Sequence, residues 1–331
     1  WGRLEDSSNN IIRNNRFSRA TSTGTTGGLK LVRSTYNKIL SNTFDDGNDS
    51  LVIQESDRNL VQDNTFTKGR HSLFSLRCGN YNVIRGNSFN NPNQKAGEIY
   101  DCEGTSDAPV KLNATKYNLV ESNRFSYTRA ASADYRYNGI QYSGQNGIVR
   151  RNVFYENQGG GLNFQVYSNE ALYNSGHRVY NNTFFNNRCY AVAASGSSSS
   201  GQYFDNRVKN NIFYRNVGCN GESAQTNIGN TSAVILENNG NLNTSPSFVN
   251  ESTNDLRLNQ GSSMIDAGTF VALTAGAGSG TLMTVDDAGY FFDGNGIPGE
   301  VGDLVQLSGQ PQTARITAIN YATKTLTLSQ S

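Results

Sequence analysis

Asp101 and Glu103 are the side chains with the sharpest chemical meaning in this 331-residue sequence. Positions i and i+2 of a strand share one face, with Cα atoms ~6.6 Å apart. Carboxylates so placed suit the acid and base of an inverting glycosidase, which sit ~6.5–9.5 Å apart. They would equally suit oxygen ligands for Ca2+. The plain alternative is a surface ion pair between Glu103 and Arg77, which would contribute little stability. A second group is cationic and phenolic: Arg77, His71, Lys111, Arg129, Arg136 and Tyr137. An arginine fork meets a carboxylate in bidentate fashion, and Lys, His or Tyr can move protons. Such a set suits elimination from a uronic-acid polymer. His71 is one of only 2 histidines, and it reads equally well as a surface turn residue.

The elements that must position these groups come from a repeat. Asn82-Val-Ile-Arg-Gly-Asn87-Ser-Phe89 returns as Asn37 to Phe44, Asn59 to Phe66 and Asn118 to Phe125, with looser copies ending at Phe17, Phe154, Phe184 and Phe213. The phenylalanines fall 27, 22, 23, 36, 29, 30 and 29 residues apart. A period of this size marks a solenoid. Each unit holds short β-branched or aromatic runs bounded by Asn, Gly, Asp and Ser, which read as strands and turns. No unit carries apolar residues at helical spacing over ten or more positions. The Asn before each Phe suits a bend, since it tolerates left-handed backbone and can bond neighbouring amides. Stacked coil on coil, these asparagines would form an internal ladder and the phenylalanines an aromatic stack.

Over residues 9 to 250 this pattern resembles the right-handed parallel β-helix repeat of bacterial carbohydrate-active proteins, the pectate-lyase-like polysaccharide lyases and C5-epimerases. The resemblance implies an all-β fold with a β-helix over residues 1–270, and alternating runs beyond it add a small antiparallel β module over 271–331. The resemblance also implies a polar trough that holds a polysaccharide. Counting back from the Asn before each Phe places Leu29/Leu31, Leu51/Ile53 and Phe74/Leu76 inward. His71–Arg77 and Gly97–Glu103 match position for position, which continues the column as Tyr100/Cys102, followed by Ile140/Tyr142 and Leu162/Phe164. The outward face then reads Ser75/Arg77, Asp101/Glu103, Gln141/Ser143 and Asn163/Gln165 mid-helix, with Tyr167 just beyond. Ser75, Gln141, Asn163, Gln165, Tyr167, Arg129, Arg136 and Tyr137 are therefore the candidate substrate-binding residues. Asp101, Glu103, Arg77, His71 and Lys111 are the candidate catalytic ones. Long insertions at Gly104–Lys116, Ser126–Tyr137 and Ser168–Gly176 would wall the trough. His177 occupies a ladder position and reads as structural.

Composition bounds the rest. Lys and Arg number 28 against 27 Asp and Glu, so no clustered basic excess proposes nucleic acid as a partner. No apolar run approaches the ~18 residues that span a bilayer. Cys189 and Cys219 lie five and six residues after Phe184 and Phe213, close enough across one ~4.8 Å strand spacing for a disulfide. Cys78 and Cys102 share no column and are expected to stay reduced. A bridge would favour an extracellular protein, and the absence of a signal peptide reads as a mature or trimmed chain. Thr274 to Gly280 reads as a Gly/Ala linker. Beyond it, Gly302 to Leu307 and Lys324 to Leu328 alternate like strands of a module left incomplete at the chain end. The expectation is a secreted enzyme acting on an acidic polysaccharide, with no cofactor or with Ca2+. The rivals are an inverting hydrolase using Asp101/Glu103 and a non-catalytic spike, filament or adhesive rod. The sequence leaves the oligomeric state open.

Overall fold

The structure, a computed structural model, describes residues 2–18, 28–100, 115–129, 137–165, 174–195, 203–221, 226–228, 234–240 and 244–330. Its contacts fall into two units, Trp1–Gly268 and Thr269–Ser331.

The first unit is a parallel β-solenoid in which three strands per coil build three sheets. The first sheet includes Leu29–Val32, Asp49–Gln54, Ser72–Arg77, Lys95–Tyr100, Ile140–Tyr142 and Leu162–Gln165. Short strands such as Val83–Arg85 form the second sheet, and strands centred on the repeat phenylalanines, such as Ser88–Asn90, form the third. Strands this short are stable only because every neighbour pairs in register. Leu60, Val83, Leu119 and Ile148 fall in one line on the second sheet. Phe66, Phe89, Phe125 and Phe154 fall in another on the third.

The core follows from that register. Phe17, Phe44, Phe66, Phe89, Phe125, Phe154 and Phe184 stack face to face with ring centroids 4.6–4.9 Å apart. The spacing is one strand separation, so each ring covers the next. Phe213 closes the column edge-on at 5.3 Å. An asparagine ladder runs beside it through Asn15, Asn42, Asn64, Asn87, Asn123, Asn152, Asn182, Asn211 and Asn239, with amide-to-amide distances of 2.9–3.2 Å. Each Oδ1 also accepts the backbone N–H of the preceding coil's asparagine, as Asn64 does from Asn42 at 2.8 Å. Buried corners thus keep their polar groups bonded.

The bend itself sits one residue earlier than the sequence suggests. Ser41, Asp63, Ser122, Arg151, Asn181 and Asn210, each preceding a ladder asparagine, hold φ at 53–57°. The asparagine is spared that role because both ends of its amide are committed across coils.

A parallel ladder begins Asn10, Asn37, Asn59, Asn82, Asn118 and then changes. Gly147 stands in the next coil, because a Cβ there would lie 2.0 Å from the Tyr142 hydroxyl. His177 takes the following position, accepting from Gly147 N at 3.0 Å and donating its own N–H to Asn206 Oδ1 at 3.0 Å. Fully buried, its imidazole is pushed down to about 3 by loss of solvent and by the nearby Arg178 charge. It is a structural member of the ladder.

The segment Asp255–Leu258 pairs antiparallel with Phe248–Asn250. Phe248 and Leu256 cover Tyr155 and Phe185 on the outer side of the third sheet. Arg124 donates to Asn254 O at 3.1 Å, and Asn254 to the Tyr127 hydroxyl at 2.6 Å. Arg215 pairs with Glu251 at 2.7 Å. The hairpin therefore lies along the solenoid's flank.

The second unit is a four-stranded antiparallel sheet in the order Leu282–Thr284, Thr325–Leu328, Thr313–Asn320, Leu304–Gln306. Thr274, expected in a linker, bridges Val285 within this unit, and Ala275 N–H bonds Thr284 O.

Cys189 and Cys219 are disulfide-bonded, as their column position predicts. Cys78 is disulfide-bonded too, against the expectation of a free thiol. Cys102, the remaining cysteine of the 4, lies outside the described residues.

Candidate functional site

Strand register matters most on the first sheet. Phe74 pairs with Gly97, Ser75 with Glu98, Leu76 with Ile99 and Arg77 with Tyr100. The sequence alignment had set His71 against Gly97, a slip of three residues. An odd slip exchanges the two faces of a strand. Tyr100, expected inward, therefore stands on the outward face, and Ile99 fills the core between Leu76 and Tyr142. The mid-helix outward pair is Glu98/Tyr100 in place of Asp101/Glu103. Asp101 and Glu103 themselves, with their suggested Ca2+, lie outside the described residues, as do Lys111, Arg136 and Tyr167. The slip comes from matching His71–Arg77 to Gly97–Glu103 by residue type alone. Counting six residues forward from each phenylalanine aligns Ser72 with Lys95 as the structure does, and Asp49, five residues after Phe44, falls one short of that count.

Three successive coils bring a charged cluster together. Asp49 opens one strand, His71 immediately precedes the next, and Lys95 and Glu98 lie on the third. His71 Nδ1 is 2.8 Å from Asp49 Oδ1 and 3.8 Å from Glu98 Oε2. Ser72 donates its hydroxyl to the same Asp49 oxygen at 2.8 Å. Arg77 Nη2 stands 3.6 Å from Asp49 Oδ2. Its Nε donates to Ser75 Oγ at 3.1 Å, and its guanidinium lies 5.2 Å from the Tyr100 ring centroid. Lys95 Nζ donates to Glu98 Oε1. Asp49 and Glu98 are 8% and 3% exposed, whereas the His71 side chain is 37% exposed. Two deeply placed carboxylates thus hold an imidazole that reaches the surface.

The electrostatics follow from these contacts. Burial would raise the Asp49 carboxyl, but hydrogen bonds from His71 and Ser72 and the charges of His71 and Arg77 outweigh it and hold it below the ordinary value. The bond to Asp49 raises His71 above the ordinary imidazole range, helped by Glu98 and opposed by partial burial and Lys95. A bond through Nδ1 also fixes the tautomer of neutral His71, leaving Nε2 as the basic nitrogen.

The remaining candidates divide. Ser75, Gln141 and Asn163 fall in one line with Glu98 along the outward face, and Gln165 ends the last of these strands. Asn163 donates to Gln165 Oε1 at 3.4 Å. Arg129 is exposed at the turn leading toward the first sheet and donates to Asn91 Oδ1. Tyr137 is half-buried and accepts the Thr128 hydroxyl at its carbonyl. Neither has a described contact with the charged cluster. Asp49, Lys95 and Glu98 went unnoticed in the sequence. Among the described residues, no set of three or more His, Cys, Asp or Glu side chains is placed to hold a metal ion.

The family description "right handed beta helix region" matches residues 27–213. That is more than half of the chain, and the chain belongs to this family. Similar solved structures include a variant of the periplasmic alginate epimerase AlgG, with 14% identity and a TM-score of 0.41, covering 64% of this chain and 47% of that one. A DFA-IIIase from Arthrobacter chlorophenolicus A6 in complex with GF2 shares 12% identity at a TM-score of 0.43, with 74% and 56% covered. Pectate lyase Pel9A shares 14% identity at a TM-score of 0.40, with 81% and 85% covered. The chain thus spans about half the length of the first two. No curated protein matches the sequence.

Proposed function

We propose that the outward face of the first sheet binds an acidic polysaccharide and cleaves it by β-elimination. The observation that carries this reading is the Asp49–His71 pair with Arg77 beside it. His71 Nε2 would take the proton on the carbon next to the uronate carboxylate. Arg77, steadied by Ser75 and Tyr100, would face that carboxylate and neutralise the charge that develops as the proton leaves. The C5–H and C4–O bonds break, a C4=C5 double bond forms, and the leaving oxygen gains a proton. Asp101, Glu103, Lys111, Arg136, Tyr137 and Tyr167 remain proposals for the proton donor and further sugar contacts. Hydrolysis is the weaker reading at this cluster, because a glycosidase acid needs a carboxyl raised toward neutrality. Asp49 is moved the other way. Disulfides at Cys78 and Cys189–Cys219 suit an oxidising, extracytoplasmic compartment.

The test is a panel of uronate-containing and neutral glycans, followed both by ultraviolet absorbance of unsaturated product and by reducing ends. Unsaturated ends from an acidic glycan would support elimination. Reducing ends without unsaturation would replace it by hydrolysis, and no turnover would favour the rod.

A further inference from the structure

Among the described residues, Glu98 Oε2 is a buried carboxylate oxygen without a hydrogen bond. Its partner oxygen is taken by Lys95, and His71 Nδ1 stands 3.8 Å away, beyond bonding range. Burying a charged acceptor and leaving it unbonded is costly. Ser50 Oγ and Gln54 Nε2, two strands away in the same sheet, are unbonded too, but Glu98 Oε2 is the charged atom of the three and points most strongly to a missing donor.

The surroundings narrow what that donor is. Lys95 and His71 already place positive charge around the carboxylate, so a metal ion would meet repulsion there. Anionic groups are repelled by Glu98 and Asp49 themselves. A neutral O–H donor fits both constraints. Glu98 also stands in line with Ser75, Gln141 and Asn163, one residue from each of four neighbouring coils. That row runs along the solenoid axis at ~4.8 Å per coil, a step comparable with one pyranose ring. Arg77 lies on the adjacent row, paired with Tyr100.

We propose that Glu98 Oε2 is a sugar-hydroxyl acceptor, the centre of a subsite that reads the ring hydroxyls of a bound glycan while Arg77 reads its carboxylate. The assignment rests on the polysaccharide reading above. It adds that recognition has a neutral half, set by Glu98 and independent of the uronate charge.

The experiment compares the intact protein with its Glu98→Gln variant on the acidic glycan that the wild-type protein turns over best. Binding is measured in a His71→Gln background, which silences the base while keeping a donor toward Asp49. Glu98→Gln is expected to weaken glycan binding and raise KM by ~10–100-fold, the scale of one hydrogen bond to a charged group. Loss of the Glu98 charge moves the His71 limb to lower pH. The kcat is therefore compared on the plateau where His71 is neutral in both proteins, and there it should change little. An analogue lacking the hydroxyl that contacts Glu98 should bind wild type as weakly as glycan binds the variant, and should bind the variant no worse. If Glu98→Gln leaves Lys95 uncompensated and the protein fails to fold, Lys95→Met with Glu98→Gln replaces it. Unchanged KM and binding on a glycan that is turned over would overturn the subsite alone. Absence of binding or turnover by any glycan would overturn the polysaccharide reading and the subsite with it.

Discussion

His71 carries two carboxylates on the side of one ring nitrogen, an arrangement that makes its activity pH-sensitive in a definite direction. If its neutral form is the base, turnover should rise with pH through a midpoint above the ordinary imidazole value, because Asp49 and Glu98 favour the imidazolium. Asp49→Asn should move that limb to lower pH and reduce the maximal rate, since the tautomer is no longer fixed. A pH–rate profile of both proteins checks this, and an unmoved limb would remove His71 from the base role. Arg77→Lys keeps the charge but loses the fork. KM for a uronate polymer should rise ~10-fold, read by initial rates, while affinity for a neutral glycan stays put. The outward placement of Ser75, Arg77, Gln141 and Asn163 was legible because strand alternation gives it, whereas His71 stood out by residue type alone. Asp49, Lys95 and Glu98 were not legible. An isolated Asp five residues after a phenylalanine carries no signal until the neighbouring coils are laid on it, and matching His71–Arg77 to Gly97–Glu103 misplaces the third coil.

At the scale of the elements, the fold was legible because each column is a repetition. The Asn-x-Phe unit sets a ring and an amide in every coil, and both columns form as the spacing implies. Local exceptions needed atomic packing. Gly147 reads as a gap in the ladder, and only the Tyr142 hydroxyl beside it explains why no side chain fits. Gly147→Ala should therefore destabilise by about 1–3 kcal/mol, the scale of overpacking a core. The loss should shrink in a Tyr142→Leu background, measured by chemical denaturation of both pairs. Equal losses in the two backgrounds would show that the glycine is kept for another reason. Phe89→Ala, in the middle of the stack, should cost about 3–5 kcal/mol by leaving a cavity between two rings.

Across the whole molecule, acid is the predicted weakness. His177 is neutral and buried in the folded chain, with its pKa depressed to about 3. The unfolded chain therefore binds more protons below the ordinary imidazole value, and stability falls as pH drops through the window from there toward 3. The loss should approach ~1.4 kcal/mol per pH unit. His177→Asn, which restores the ladder residue, should flatten that slope in melts recorded across the window. A slope unchanged by the substitution would assign the acid loss to the carboxylates instead. The ladder that accepts this asparagine has another consequence. Because each coil offers the next the same ring, the same amide and the same bend, the solenoid behaves as a ruler graduated in coils. Its length can change by whole periods without disturbing the frame on either side, whereas the charged cluster occupies only three of them. Insertion of one complete coil beyond Asn163 should lengthen the face available to a linear chain by ~4.8 Å and leave His71 and Arg77 where they stand. The reach of the molecule along its ligand and the chemistry it performs there are thus separate quantities, free to vary one without the other.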